Sequence, residues 1–309
     1  MNIYLIIGAS GCIGYETAKW LLKNNRQSKV ITCSRGKTDF PGPLKGNIHE
    51  IADISSKESV LDLIKKHSVT HVLHCAALRT SDCNENPRLA HAINVSGTEN
   101  VLKASKLSGC VKEFVFISTA AVYDQVKKQE YNVNESSPVS QYAPYVKTKL
   151  LAEISVKSIL DSTNIIATVL RPQIIFGPTR SLQGSTAGIT ESIKMAAQEQ
   201  SFAIPYSGQY CFHYTADIGG IIGRVLQSKK SYKYEIFNLP GQSHNIDDFT
   251  HVLNSFSPDN PLISYSRWQY PFAKSICYDK YIKHFGQPTI TPLEKALSRT
   301  YSFFKNNRF

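Results

Sequence analysis

The chain alternates short, nearly unbroken apolar runs with longer stretches in which apolar residues recur every three or four positions. The short runs read as buried strands near residues 2–7, 29–33, 48–52, 71–75, 113–118 and 164–170. The longer stretches read as amphipathic helices at about 12–24, 57–67, 87–107 and 143–161. Ser56 ahead of Lys57-Glu58 and Pro87 are helix start signals, and Asn24-Asn25 closes the first helix. Strands that alternate with helices predict a doubly wound parallel sheet covered on both faces.

Beyond Pro178 this alternation breaks, and Gly184, Gly188, Pro205, Gly208, Pro240, Gly241, Pro288 and Pro292 divide the chain into short elements. Two pieces still look like parts of the large sheet: the apolar helix Ile218 to Leu226 and the short strand Tyr234 to Asn238. The expected division is a cofactor-binding domain at 1–177, with 215–240 returning to it, and a smaller mixed substrate lobe at 178–309.

Gly8-Ala9-Ser10-Gly11-Cys12-Ile13-Gly14 falls between the first strand and the first helix. Small residues there let the backbone turn tightly and approach a ligand, and free N–H groups at a helix N-terminus can hold a pyrophosphate. The pattern predicts a dinucleotide and makes the fold class α/β, a Rossmann-type doubly wound parallel sheet with a smaller mixed C-terminal substrate lobe. The second strand ends in Ser34-Arg35-Gly36-Lys37, where an NAD enzyme would carry a carboxylate for the ribose hydroxyls. Arg35, helped by Ser34, offers donors for a 2′-phosphate instead, so NADP(H) is the expected cofactor, with NAD(H) as the alternative. Asp53, with Ile54 beside it, is placed to reach the adenine.

Tyr145 and Lys149 are four residues apart, hence on one face of a helix. A phenol with a pKa near ~10 acts as a base at neutral pH only if positive charge favours its phenolate, and Lys149 is the expected source of that charge. Ser118-Thr119 follows the fifth strand, at the end of the sheet where ligands of open α/β folds bind.

Composition narrows the reading. The 309 residues, 42% of them hydrophobic and 19% charged, describe a globular chain able to bury a full core. No apolar run approaches the roughly 18 residues of a membrane span, so membrane insertion is not expected. The net charge of +11 favours an anionic small-molecule partner. The basic pairs Lys127-Lys128 and Lys229-Lys230 lack interleaved stacking aromatics, so a nucleic-acid partner is not expected. Seven scattered cysteines without a Cys-x-x-Cys pair read as reduced thiols in the cytoplasm. His67, His71 and His74 cluster in sequence, but 71 and 74 should face opposite sides of a strand, so no metal is expected.

Taken together, the glycine loop, Asp53-Ile54, His74 to Ala77, Asn94 to Thr98, Ser118 to Tyr123, Tyr145 to Lys149, and Leu170-Arg171-Pro172 leading to Phe176-Gly177-Pro178 mark a resemblance. The chain resembles an extended short-chain dehydrogenase/reductase of the NAD-dependent epimerase/dehydratase family over nearly its whole length. The resemblance implies Thr119, Tyr145 and Lys149 as the catalytic trio, Ala76, Ala77, Asn94 and Pro172 near the cofactor, and a homodimer paired through the helices at 87–107 and 143–161.

Three departures discriminate within the family. Dehydratases carry an Asp-Glu pair where this chain has Ala120-Ala121, which disfavours 4,6-dehydration. Members that bind UDP-sugars show an asparagine and an arginine where Ile174 and Tyr210 stand here. The glycine usual after Val122-Tyr123 is Asp124. Ser118, Thr119, Tyr145, Gln173, Tyr210 and Arg267 are the candidate substrate contacts, and Arg267 or Arg180 is expected to compensate for the donors missing at 174 and 210. The expected activity is NADP-preferring epimerisation or ketone reduction on a phosphorylated or nucleotide-linked sugar. The alternatives are a reductase of a small non-sugar ketone and a non-catalytic NADP-binding regulator.

Overall fold

A computed structural model describes residues 1–38, 44–45, 47–123, 132–256 and 262–307. Asp124 and the Lys127-Lys128 pair lie outside the described residues. The first strands and helices follow in the expected order: β1 (Ile3–Ile7), α1 (Cys12–Asn24), β2 (Lys29–Ser34), β3 (Ile48–Ile51), α2 (Lys57–His67) and β4 (His71–His74). The segment expected as one helix over 87–107 is more complex. After the short α3 (Thr80–Glu85), it holds α4 (Pro87–His91), a π turn over Ala92–Gly97 and α5 (Thr98–Ser108). The π turn aims Asn94 inward, where its amide bonds the Leu78 N–H (2.7 Å) and C=O (3.2 Å).

β5 (Glu113–Ile117), α6 (Pro144–Leu160) and β6 (Ile166–Arg171) complete the first half. Short elements follow: β7 (Ile174–Phe176), α7 (Gly188–Ala197), β8 (Phe202–Ile204), β9 (Gln209–Tyr214), α8 (Thr215–Gln227), β10 (Tyr234–Asn238), β11 (Gln242–Asn245), α9 (Ile246–Ser255), β12 (Ile263–Tyr265), α10 (Asp279–Phe285) and α11 (Leu293–Asn306).

Seven strands form the main sheet in the order β10-β6-β5-β4-β1-β2-β3, all parallel. The order reverses between β1 and β4, which opens a crevice at their C-terminal ends. Alternate residues of β1 feed opposite layers. Leu5 and Ile7 join a core under α2, α5 and α6, whereas Tyr4 and Ile6 join one under α1 and α8. α8 meets α1 along a glycine stripe, where a Cβ at Gly219 would lie 2.3 Å from the Glu16 carbonyl and one at Gly223 would strike the Trp20 ring. A second, mixed sheet pairs β9 with antiparallel β11 and parallel β7, and β8 pairs with β12. Ile174, Phe176, Phe212, Phe249 and Leu297 share its core.

Candidate active site

The crevice holds a cavity of about 480 Å³. Cys12 and Ile13 of the glycine loop line it, together with Ala77, Ser118, Thr119, Tyr145, Lys149, Pro172 and Gln173. Nine of the expected site residues, from five separate stretches of sequence, thus converge on one space.

The loop beneath is shaped for close approach. Gly8 has φ +90°, and a Cβ there would lie 2.6 Å from the Ala76 amide nitrogen. A Cβ on Gly14 would lie 2.6 Å from the Gly8 carbonyl and 2.8 Å from the Ala9 Cα. The Gly8 and Ala9 N–H groups both donate to the Cys33 carbonyl, tying the loop to the end of β2. α1 starts at Cys12 after Gly11, with no side chain capping its first turn, so that turn is open to an anion. Ser10 is exposed on the same loop. These features fit a dinucleotide pyrophosphate.

At the far end, Arg35 is exposed and near enough to Asp53 for its charge to act there. The Asp53 carboxyl is held below the usual range chiefly by the Ser55 N–H, with Arg35 adding to this. Ser34 departs from its expected part. It is buried, and its hydroxyl is engaged with the Gly36 carbonyl (2.7 Å), Thr38 and His49. Ile54 packs under Gly97, so it acts as floor.

The Tyr145 phenol is desolvated. Burial pushes it up to about 12, the Cys83 thiol adds to the rise, and Arg180 and a Thr119 hydrogen bond pull the other way. Arg180 is the cation that opposes this rise in the free chain. Lys149, expected in that part, is 2% exposed, donates to the Ile117 carbonyl at 2.5 Å and lies 4.1 Å from the Phe116 ring centre. One helical turn brings its stem beside Tyr145, but the carbonyl directs the ammonium down to the sheet edge. Burial holds Lys149 down to about 8, and Glu153 opposes that fall.

Four expected residues are placed differently. Asn94 does not line the cavity; its amide holds the Leu78 backbone and donates to Thr148 at 3.2 Å, so it braces the cavity loop against α6. Ser118 lines the cavity, yet its hydroxyl donates to the Glu153 carboxylate. Tyr210 is 2% exposed inside the second core, where its phenol donates to the Ser207 carbonyl and accepts from the Tyr270 N–H. Arg267 is exposed and away from the cavity. Local pattern did not foresee the bonds of Asn94 to Leu78 and Thr148, Ser118 to Glu153 and Tyr210 to Tyr270, because those partners come from distant segments. Gln173 both lines the cavity and spans to the Cys211 N–H and Ala273 carbonyl.

Several lining residues carried no expectation: Arg79, Tyr142, Trp268, Tyr270 and Phe272. The aromatic alternation at 268, 270 and 272 was the available signal. His71 and His74 take different partners, Thr70 and Thr98, and no group of three or more metal-ligating side chains occurs among the described residues. No helix among them is long and apolar enough to cross a membrane.

A parallel sheet with a glycine loop at its switch point and a Tyr–Lys helix beside the crevice defines a dinucleotide-binding class of α/β protein. The chain belongs to the NAD dependent epimerase/dehydratase family, whose model matches residues 4–239. It is 27% identical over 259 residues to the UDP-glucuronate 4-epimerase of Thermodesulfobacterium geofontis, covering 80% of this chain and 77% of that one. It is also 27% identical over 174 residues to the sterol-4-alpha-carboxylate 3-dehydrogenase, decarboxylating, of Homo sapiens. That match covers 56% of this chain and 44% of the relative, less than half of its length. Among solved structures, the UDP-glucose 4-epimerase of Thermus thermophilus, in complex with NAD, superposes over 99% of both chains with TM-score 0.85 and 21% identity. The L-threonine dehydrogenase of Clostridium difficile does so over 99% of this chain and 98% of its own, with TM-score 0.87 and 19% identity. At these identities the two structures show the shared fold.

Proposed function

We propose that the chain is an NADP-preferring oxidoreductase or epimerase acting on a secondary alcohol or ketone of an activated, nucleotide-linked sugar. One observation carries this: Thr119, Tyr145 and Lys149 line the same cavity as the glycine-loop residues Cys12 and Ile13. When bound, the nicotinamide cofactor supplies or accepts the hydride. The chain's own residues do the rest. The Gly8–Gly14 loop and the first turn of α1 bind the pyrophosphate, Asp53 takes the adenine end, and Lys149 keeps donors for a ribose hydroxyl. Thr119 orients the substrate oxygen, and Tyr145 gives that oxygen a proton or takes one from it.

The epimerase relatives favour a nucleotide-linked sugar. Ala120 and Ala121 supply no acid for dehydration, which leaves epimerisation or ketone reduction. A second reading, reduction of a non-sugar ketone, is favoured by Ile174 and Tyr210, which lie in the core where a diphosphate would need donors. The sterol dehydrogenase relative points the same way.

A panel of nucleotide-linked sugars and their 4-keto forms, followed by cofactor absorbance and product NMR, tests the proposal. Inversion without net cofactor change means an epimerase, and net oxidation of reduced cofactor means a reductase. Turnover of simple ketones alone would overturn the sugar reading. For the cofactor, Arg35→Ala should weaken NADP by about 1.5 to 3 kcal/mol, the range of a charge-assisted hydrogen bond, and leave NAD nearly unaffected. Tighter binding of NAD than of NADP to the parent protein would defeat that preference.

The domain division at residue 177, with 215–240 returning, belongs to the same proposal. So does a homodimer through α5 and α6, supported by Leu107 and Ile154, apolar residues 57% and 59% exposed there. Light scattering should give twice the monomer mass; monomer alone at assay concentration would contradict it. Seven free cysteines support a reducing, cytoplasmic setting.

A further inference from the structure

The second lobe presents an aromatic ladder to the cavity. Trp268, Tyr270 and Phe272 alternate along an extended segment, so all three side chains fall on one side. Tyr270 stacks on Phe272 with centroids 4.9 Å apart and planes 8° apart, and Trp268 meets Tyr270 edge-on at 4.4 Å. Phe272 packs beside Tyr145 on the cluster of Val146 and Leu150, which places the inner rung next to the candidate reacting end. Trp268 is the outer rung and remains 54% exposed.

The ladder is held rigidly. The Tyr270 N–H donates to the Tyr210 hydroxyl at 2.8 Å, the Tyr270 hydroxyl donates to the Ser185 carbonyl at 2.5 Å, and the Ser207 N–H donates to the Trp268 carbonyl at 2.7 Å. Such fastening fixes the half-exposed Trp268 side chain on the wall of the cavity.

Two arginines border the segment that holds the middle rung. Gly184, adjacent to the Ser185 that holds Tyr270, lies between two arginines: a Cβ there would be 3.6 Å from Arg180 Nη2 and 3.8 Å from Arg79 Cδ. Arg79 is paired with Asp82 at 3.2 Å. Arg180 forms no ion pair among the described residues; its Nη1 donates to the Ser181 and Gln183 carbonyls, and Nη2 is left over. The cavity is therefore lined by a proton donor, a guanidinium bearing no counter-charge among the described residues, and an aromatic platform.

We propose that Trp268 is the stacking platform for the base of a nucleotide-linked substrate and that Arg180 receives its diphosphate. This rests on the nucleotide-sugar reading and names the residues that replace the donors missing at positions 174 and 210. A flat, uncharged base covers the indole, which a diphosphate cannot do, and base–aromatic stacking tolerates several bases.

The chain's two tryptophans make a direct test available. In Trp20→Phe, loaded with oxidised cofactor, Trp268 is the only indole, and UDP, TDP and GDP should each quench it, whereas inorganic pyrophosphate should not. By calorimetry with Trp20 intact, Trp268→Ala should raise the Kd for UDP at least fivefold, the lower end for a stacked base, and Trp268→Phe should recover most of that loss. Arg180→Met should weaken UDP and pyrophosphate alike. No quenching, an unchanged UDP Kd in Trp268→Ala, or quenching by a fused-ring sterol carboxylate in place of nucleotides would overturn the base site. If nucleotide-linked sugars are still turned over in a Tyr145-dependent way, the stacking inference alone has failed. If only simple ketones are turned over, the nucleotide-sugar reading has failed with it.

Discussion

Replacing Tyr145 with Phe should lower turnover of the true substrate by about 10²- to 10⁴-fold or more, the range for losing a positioned acid–base group, and leave cofactor affinity nearly unchanged. The phenol is the group in the cavity whose loss removes a proton without removing packing. Because burial pushes Tyr145 up to about 12, the phenol is protonated throughout the neutral range in the free protein. It is then ready to donate to a carbonyl, so reduction should be flat across neutral pH and fall only in alkali. Oxidation needs the phenolate, so its rate should climb as pH rises. Arg180→Met removes the cation that favours the phenolate and should move the oxidation limb to higher pH. Steady-state rates in both directions, with dinucleotide titrations of the same variant, check this. Full activity in Tyr145→Phe would remove the tyrosine from the mechanism.

The second large effect concerns stability. The Glu153 carboxylate takes a bidentate pair from Arg171, at 3.0 and 2.6 Å, and the Ser118 hydroxyl as well. Arg171 lies 5.1 Å from the Tyr123 ring centre, and the Tyr123 hydroxyl donates to Asn238. Both residues are at most 5% exposed, and one guanidinium nitrogen, Nη1, already lacks a hydrogen-bond partner among the described residues. Glu153→Gln leaves a buried guanidinium without its counter-charge, and Arg171→Met leaves a buried carboxylate. Each should cost about 3–5 kcal/mol in a denaturant titration. The double replacement Glu153→Leu with Arg171→Met should cost clearly less than the two single changes together, because no orphan charge remains. A single replacement costing under ~1 kcal/mol would mean that water or a shifted proton already relieves the pair.

The strands and the glycine loop were legible because their signal is local. β1 buries both faces, so its apolar run is continuous, and the shorter apolar runs of β2 and β4 are likewise buried, while Gly8 and Gly14 are needed for the turn itself. Tyr145 and Lys149 were legible as neighbours from one helical turn, but not the direction of the ammonium, which the Ile117 carbonyl sets from another element. The π turn over Ala92–Gly97 escaped for a similar reason. Apolar spacing over 87–107 is continuous, and only the inward bonds of Asn94 to Leu78 and Thr148 reward the extra residue in the turn. Ser118 bonds a carboxylate from another segment, and Ser34 and Tyr210 combine near neighbours with His49 and Tyr270 from afar, so sequence suggests that they bond but not with what. Arg180 and Arg267 stand on segments that both border the cavity, and sequence does not say which of the two side chains turns into it.

The glycine stripe of α8 has a consequence for how the molecule is made. α1, which begins the cofactor loop, leaves the ribosome about two hundred residues before the surface that clasps its Trp20 and Glu16 backbone. Until Gly219 and Gly223 are synthesised, the outer face of α1 has nothing to seat against and stays open to solvent or to chaperones. The dinucleotide loop therefore gains its final brace only after residue 223 is made, and nascent chains stalled before that point should hold cofactor more weakly than chains stalled after it.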